Sequence, residues 1–594
     1  MRVQDMIGAL QLKRKKTERK TLCTPWGEKV TALAKDPDYV PLSEYPRPQF
    51  VRESYTCLNG WWQCAIVNAK SWESDRLPVC ETPVLVPFSP ETQLSGVGRT
   101  LHKDEVLWYT RTFHKELADG QRTLLHFEAV DQECVVYVNG VKVSSHQGGY
   151  LPFEADITKA LKDGDNTLSV KVRDATQDGP YAYGKQTLSP GGMWYSAQSG
   201  IWQSVWMEDV PDNYITTLNI TCLPQDKMFQ ITVKTKKPAD DITLAMEGAG
   251  TIVSSGTPDK MRFDITLDEP KWWSPDDPYL YHFEVTCEDD HVSSYTAMRS
   301  FTKTVDSRGH ARFCLNGEPL FLKGVLDQGY WPESLMTPPD DEALVFDIEA
   351  MQDAGMNLMR EHCHVASRRF YYHCDTRGML VTQDFVNSGA YHAASMTYGP
   401  TALRAMQKRG ALEDTLGGRR SREECLVWIR EALGTMILLR NVPSLCAYTV
   451  FNEGWGQFKS AAVTQVLSRR DPARLFDSTS GWFDTGSGDF LSVHNYFDEP
   501  YVPQDNTGRI AIVSEYGGLS LALKGHVVDE DNIYGYRSLT SLAGFQQAYH
   551  SLQAQIKALE QDGLAGAIYT QVSDIEEETN GLVTWDRKVK KLSP

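Results

Sequence analysis

The chain has 594 residues, 41% apolar and 23% charged, the balance of an ordinary folded protein. Its 60 Lys and Arg against 78 Asp and Glu leave a net charge of −18, which argues against a nucleic-acid partner because an acidic surface repels phosphate backbones. No run approaches the roughly 18–20 apolar residues of a membrane span, and twelve dispersed Cys without a CxxC pair read as thiols of a cytoplasmic protein, not a zinc site or disulfide scaffold.

Residues 1–45 are polar and weakly periodic and read as an arm, with the basic run 13–20 as a solvated tail. The apolar stretch in the opening MRVQDMIGAL is too short for a signal-peptide core, and charges follow at once. From 46 to 210 the pattern is β. Runs at 107–115, 123–130 and 166–174 are rich in Val, Leu, Phe and Tyr. Asn139-Gly140, between 134–138 and 141–145, is a two-residue hairpin signal because both turn positions need positive φ. Residues 211–302 repeat the style with strands expected at 214–222, 228–236, 242–247, 261–267 and 279–286, which suits an immunoglobulin-like sandwich.

After 303 the style changes. Strands at 321–328, 356–362 and 379–385 alternate with helices at 340–354 and 365–377, each helix stopped by a Gly. Further strands follow at 445–453, 474–481, 489–496, 511–518 and 566–574. Eight strands in 303–594 fit a (β/α)8 barrel, with an insertion at 386–440 and no room for a helix at 482–488. The fold class is therefore a multidomain chain: a β-sandwich jelly roll, an immunoglobulin-like β-sandwich and a C-terminal TIM barrel.

Barrel active sites lie at the C-terminal strand ends. Those ends carry Asp327, His362, Asp384, Glu453, His494, Tyr496, Glu515 and Asp574. Strands four and seven face each other, so Glu453 and Glu515 can share one pocket. A facing carboxylate pair suits glycoside hydrolysis: one carboxyl protonates the leaving oxygen while the other attacks the anomeric carbon or activates water, depending on their separation. Asp327 and Asp384 are candidates to accept sugar hydroxyls and His362 to donate; Trp331, Trp455 and Trp482 are candidates to stack on a ring. In a metal-dependent alternative on His362, Asp384 and His494, these three residues do not stand in HxH or ExxH spacing with one another. The reading calls for no cofactor and no metal.

The motifs LNGWW (58–62), QGGYLPFEADIT (147–158), SGIWQSVWMEDV (199–210), FCLNGEPLFLKGV (313–325), GMNLMREH (355–362) and GAIYTQVSDIEEETNGLVTWDR (566–587) come in the order and spacing of family 2 glycoside hydrolases, and the chain resembles that family over nearly its whole length. The resemblance implies a retaining exo-β-glycosidase acting on a terminal sugar, β-galactoside as first guess. It implies Glu453 as acid/base, Glu515 as nucleophile, Asn452 on the sugar 2-hydroxyl and Tyr496 on the nucleophile. The cycle requires Glu453 raised by burial and by its neighbour, and Glu515 held anionic. It also implies a carbohydrate or glycoconjugate partner and a possible homo-oligomer, and lets jelly-roll Trp194 reach the pocket.

Two departures stand out. YTQVSD (569–574) lacks the Trp that often floors such pockets, leaving Gln571 or another Trp to substitute. No Asn-x-Lys follows the nucleophile, which weighs against a glucuronidase, although Arg360 or another base can hold a uronate. The alternatives are thus a β-glucuronidase or β-galacturonidase, or, from another class, a non-catalytic carbohydrate-binding protein.

Overall fold

The computed structural model describes residues 19–239, 241–389, 421–504 and 507–592. The opening decapeptide, most of the basic run and the central part of the insertion lie outside the described residues. The arm is not irregular throughout: Pro25–Leu33 is a helix, with Thr24 capping Gly27 N and Pro25 in the first turn.

The first sandwich joins a six-stranded and a four-stranded antiparallel sheet. The long strands Glu105–Lys115 and Gly164–Arg173 run side by side in the larger sheet and bury Leu107, Tyr109, Val170 and Val172 against Leu125, Phe127 and Met207 of the smaller. Asn139 (φ 50°) and Gly140 (φ 79°) make the expected turn between Glu133–Val138 and Val141–Gln147.

The second sandwich packs the sheet of Ile215–Leu223, Met228–Thr235, Lys260–Thr266 and Thr251–Thr257 on that of Ile242–Met246, Tyr281–Cys287 and Asp290–Thr296. Phe229, Ile231, Val233, Phe263 and Val285 form its centre. Thr251–Thr257 is absent from the sequence expectation for a physical reason: it is an edge strand exposed along its whole length, so no face imposes alternation. Buried Arg52 ties the two sandwiches together, bonding Asp290 at 2.8 and 2.9 Å and Glu208 at 2.9 Å.

The third unit is a parallel eight-stranded sheet rolled into a nearly closed barrel. Its strands, in order, are Leu322–Asp327, Leu358–Glu361, Leu380–Asp384, Leu445–Thr449, Leu475–Asp477, Phe490–Asn495, Ile510–Gly517 and Gly566–Thr570. Nearly every strand residue is buried, as expected when helices cover the outside and side chains fill the inside. The seam lies between strands five and six, where Asp489 N donates to Phe476 O (2.7 Å). Outer helices are Asp341–Asp353, Arg368–Arg377, Arg422–Leu439, Ser460–Ser468 and Leu542–Glu560. Asp340 caps the first, and Gly378 (φ 74°) ends the second. Among the described residues no helix follows strands five and six. No described helix is long and apolar enough to cross a membrane.

Candidate active site

The jelly roll does not stop at its own sheets. Its segment 183–196 crosses onto the C-terminal face of the barrel. Tyr183 N donates to Asn387 O (3.1 Å), Gly192 N to Glu577 (3.2 Å) and Ser196 N to Glu576 (2.8 Å), while the Tyr195 hydroxyl bonds Glu578. Gly184 makes the approach possible. Its φ is 63°, and a Cβ there would stand 2.3 Å from Cys363 O, so only glycine fits.

Glu453 and Glu515 face one another beneath this crossing, 5% and 4% exposed. His494 stands between them, its Nδ1 3.0 Å from Glu453 and its Nε2 3.3 Å from Glu515. One carboxylate oxygen of each glutamate lies within 4.8 Å of the other. Glu453 sits just beyond strand four with φ 49°, its N–H donating to Ser480 O (2.9 Å). That left-handed turn directs the carboxylate off the strand and toward strand six.

Glu515 is held by donors. Tyr496 donates its hydroxyl at 2.5 Å and Arg360 its guanidinium at 3.2 Å. Burial pushes the Glu515 carboxyl up, but His494, His362, Arg360 and Lys185 around it prevail and bring it down to about 2. Arg360 is the fixed charge in this set. It forks onto both oxygens of Asp384 (2.9 and 3.0 Å) and donates to Asn452 Oδ1 (2.8 Å) and Ser514 O (3.1 Å). Every face of this guanidinium is engaged, so Arg360 has no donor left for a substrate carboxylate.

The other expected residues divide into three groups. Asn452, Tyr496, Trp455, Trp482 and His494 gather at the pair. Among the described residues Asn452 Nδ2 and Trp482 Nε1 are both buried without a hydrogen-bond partner, two donors open to a ligand. Trp455 lies 6.1 Å from the His362 ring and 5.4 Å from Trp194, so the jelly-roll tryptophan does reach the pocket. His494 touches both carboxylates, which makes it a residue that positions the pair.

His362 and Asp384 also reach the pocket but are bound to each other (2.6 Å). Burial pushes His362 down to about 4, leaving a neutral ring at neutral pH. Burial raises the Asp384 carboxyl, and Arg360 and His362 overcome that and hold it well below the usual range. Asp384 therefore orients Arg360 and His362, and its oxygens are not free for hydroxyls as expected.

Asp327 is not brought to the pair. It is the register partner of Glu361, while Leu326 pairs with Arg360. Side chains alternate along a strand, so with Arg360 inside the barrel Asp327 and Glu361 stand on the opposite face. Asp327 accepts from Gly329 N (2.9 Å), and its nearness, after burial itself, helps push Glu361 up to about 8. Two further expectations move. Trp331 lies under Arg587 (4.1 Å), away from the pocket, and Gln571 is locked between Gln328 and Asn580, both at 2.9 Å.

Sequence reasoning missed Tyr536, which stacks on Tyr496 at 3.8 Å, and Lys185, 8% exposed, with Nζ 5.7 Å from the Trp455 ring. Neither is near a motif in sequence. Donor atoms of His362, Cys363 and Asp384, and separately of Glu453, His494 and Glu515, lie within 4.8 Å of one another. In both sets the carboxylates already hold Arg360 or His494, so a metal ion would have to displace those contacts.

Two sandwiches leading into a barrel with paired carboxylates across its mouth define a multidomain TIM-barrel protein. Residues 52–211 match the description "Glycosyl hydrolases family 2, sugar binding domain" and residues 207–299 match "Glycosyl hydrolases family 2". Over its two sandwiches, residues 52–299, the chain thus matches glycoside hydrolase family 2.

A β-galactosidase from Thermoanaerobacter pseudethanolicus is 30% identical over 300 residues, 47% of this chain and 39% of that one. A putative β-glucuronidase from Formosa agariphila is 24% identical over 409 residues, 65% and 35% of the two chains. This chain thus spans well under half the length of these relatives. Among solved structures, a β-glucuronidase of an uncultured Clostridium superposes with a TM-score of 0.70 at 19% identity over 93% of this chain and 98% of that one. A β-galacturonidase from Eisenbergiella tayi gives 0.66 at 16% over 92% and 96%.

Proposed function

We propose that this protein is a retaining exo-β-glycosidase that hydrolyses a terminal sugar by double displacement. The carrying observation is the carboxylate pair, with oxygens within 4.8 Å and His494 between them. Retention calls for carboxyls about 5–5.5 Å apart, whereas inversion needs roughly 6.5–9.5 Å to admit a water.

Glu515 is the nucleophile, kept ionised by Arg360 and Tyr496. Its carboxylate oxygen bonds to the anomeric carbon as the glycosidic bond breaks, and Glu453 gives its proton to the departing oxygen. Glu453, now ionised, then takes a proton from water, which attacks the same carbon and frees Glu515. Asn452 Nδ2 donates to the 2-hydroxyl, a bond that strengthens as the ring gains oxocarbenium character. Names of relatives that include β-galactosidase, β-glucuronidase and β-galacturonidase support a β-linked pyranoside.

Proton NMR of the first minutes of aryl β-glycoside hydrolysis tests the reading. The β-anomer is expected to form first and then mutarotate. First-formed α-sugar would mean inversion and contradict it.

A further inference from the structure

Among the cations buried at the barrel mouth, three hold a carboxylate: Arg360 holds Asp384, Arg587 holds Asp347 (3.0 Å) and Lys591 holds Asp574 (2.6 Å). Lys185 does not. It is 8% exposed and makes no ion pair with any carboxylate among the described residues. Its ammonium lies 5.7 Å from the Trp455 ring and 5.6 Å from the Tyr195 ring. Aromatic faces compensate only part of the cost of burying a charge. Glu578, on the same side, is bonded to the Tyr195 hydroxyl and to Asn580 Nδ2 (2.9 Å).

The place of this cation is fixed. Gly184, the residue before it, is wedged against Cys363 O, and Tyr195 anchors the other end of the crossing on Glu578. Trp455, the ring beneath the ammonium, is two residues from Glu453 and faces His362. Lys185 is therefore at the sugar pocket and held there by the jelly roll. The charge of Lys185 also helps lower both Glu515 and His362, as a cation within their field must.

We infer that Lys185 is the anion-recognising residue of the pocket and that the terminal sugar is a hexuronic acid, whose carboxylate completes the ion pair this lysine leaves open. The inference rests on the glycosidase reading. It explains how a pocket walled by Glu453, Glu515, Glu578 and Asp384 accepts an anionic sugar. It also assigns a task that Arg360, fully engaged below, cannot perform.

The test uses the full chain and pairs of 4-nitrophenyl β-glycosides that differ only at C6: glucuronide against glucoside, galacturonide against galactoside. In one pair the wild-type protein is expected to favour the uronide in kcat/KM. Lys185→Met should lower the uronide-to-neutral ratio about 100-fold, with Lys185→Arg in between. The neutral member of each pair reports whether the variant is folded and competent. Preference for the neutral sugars, or an equal loss on both members in Lys185→Met, overturns the inference and leaves the glycosidase reading standing; the equal loss would make Lys185 a counter-charge for Glu515. Absence of wild-type turnover on every aryl glycoside would overturn the glycosidase reading itself, and the inference with it.

Discussion

Glu515→Ala is expected to cut aryl β-glycoside hydrolysis by about 10⁴-fold or more, roughly 5.5 kcal/mol of transition-state stabilisation. The loss follows from what converges on that carboxylate. Tyr496 and Arg360 donate to it and His494 Nε2 stands 3.3 Å away, an arrangement that keeps the carboxylate ionised inside a buried site. The scaffold should survive the change because Asp384 still holds Arg360 through two hydrogen bonds. Azide added to this variant enters from the face Glu515 vacates, so the product should be the α-glycosyl azide. A variant that keeps a tenth of wild-type kcat would exclude Glu515 from the chemistry.

Glu453→Ala is expected to behave differently, and the contrast is the informative part. General acid catalysis contributes about 10²–10⁴-fold, and only where the leaving group needs a proton. The loss should be of that size on alkyl or 4-nitrophenyl glycosides and small on 2,4-dinitrophenyl glycosides, whose leaving group departs unassisted. With such an activated substrate the glycosyl-enzyme accumulates, and azide attacks it to give the β-glycosyl azide. The limb of the pH–rate profile set by the acid/base should also disappear. Equal losses on all leaving groups would take the acid/base role from Glu453.

The elements legible in the sequence are those whose signal is local. Asn139-Gly140 marks its own hairpin because the φ values it needs are a property of two residues. The barrel strands are readable because burial on both faces leaves apolar runs, and Glu453 and Glu515 stand out because each ends such a run. Asp327 ends one equally well, yet the two-residue alternation of a strand turns it to the other face, and one shifted residue decides the outcome. Thr251–Thr257 has no buried face to leave a pattern.

Lys185 is the extreme case. It lies 268 positions before Glu453 in the chain, in a segment with strand and turn residues of no special kind. Only the path of the jelly-roll crossing, fixed by Gly184 against Cys363 and by Tyr195 on Glu578, carries it to the carboxylates. His494 shows a milder form of the same limit. Its position at a strand end is readable, but its bridging of both glutamates depends on the left-handed turn at Glu453.

Double displacement requires that a sugar become covalently attached to Glu515. The direct measurement is intact mass and peptide mapping after incubation with a 2,4-dinitrophenyl 2-deoxy-2-fluoro-β-glycoside of whichever sugar is turned over. A mass gain of one fluoroglycosyl group is expected, located on Glu515, with activity lost in proportion to labelling. No covalent adduct from a compound that is turned over, or a label on Glu453 in place of Glu515, would contradict it.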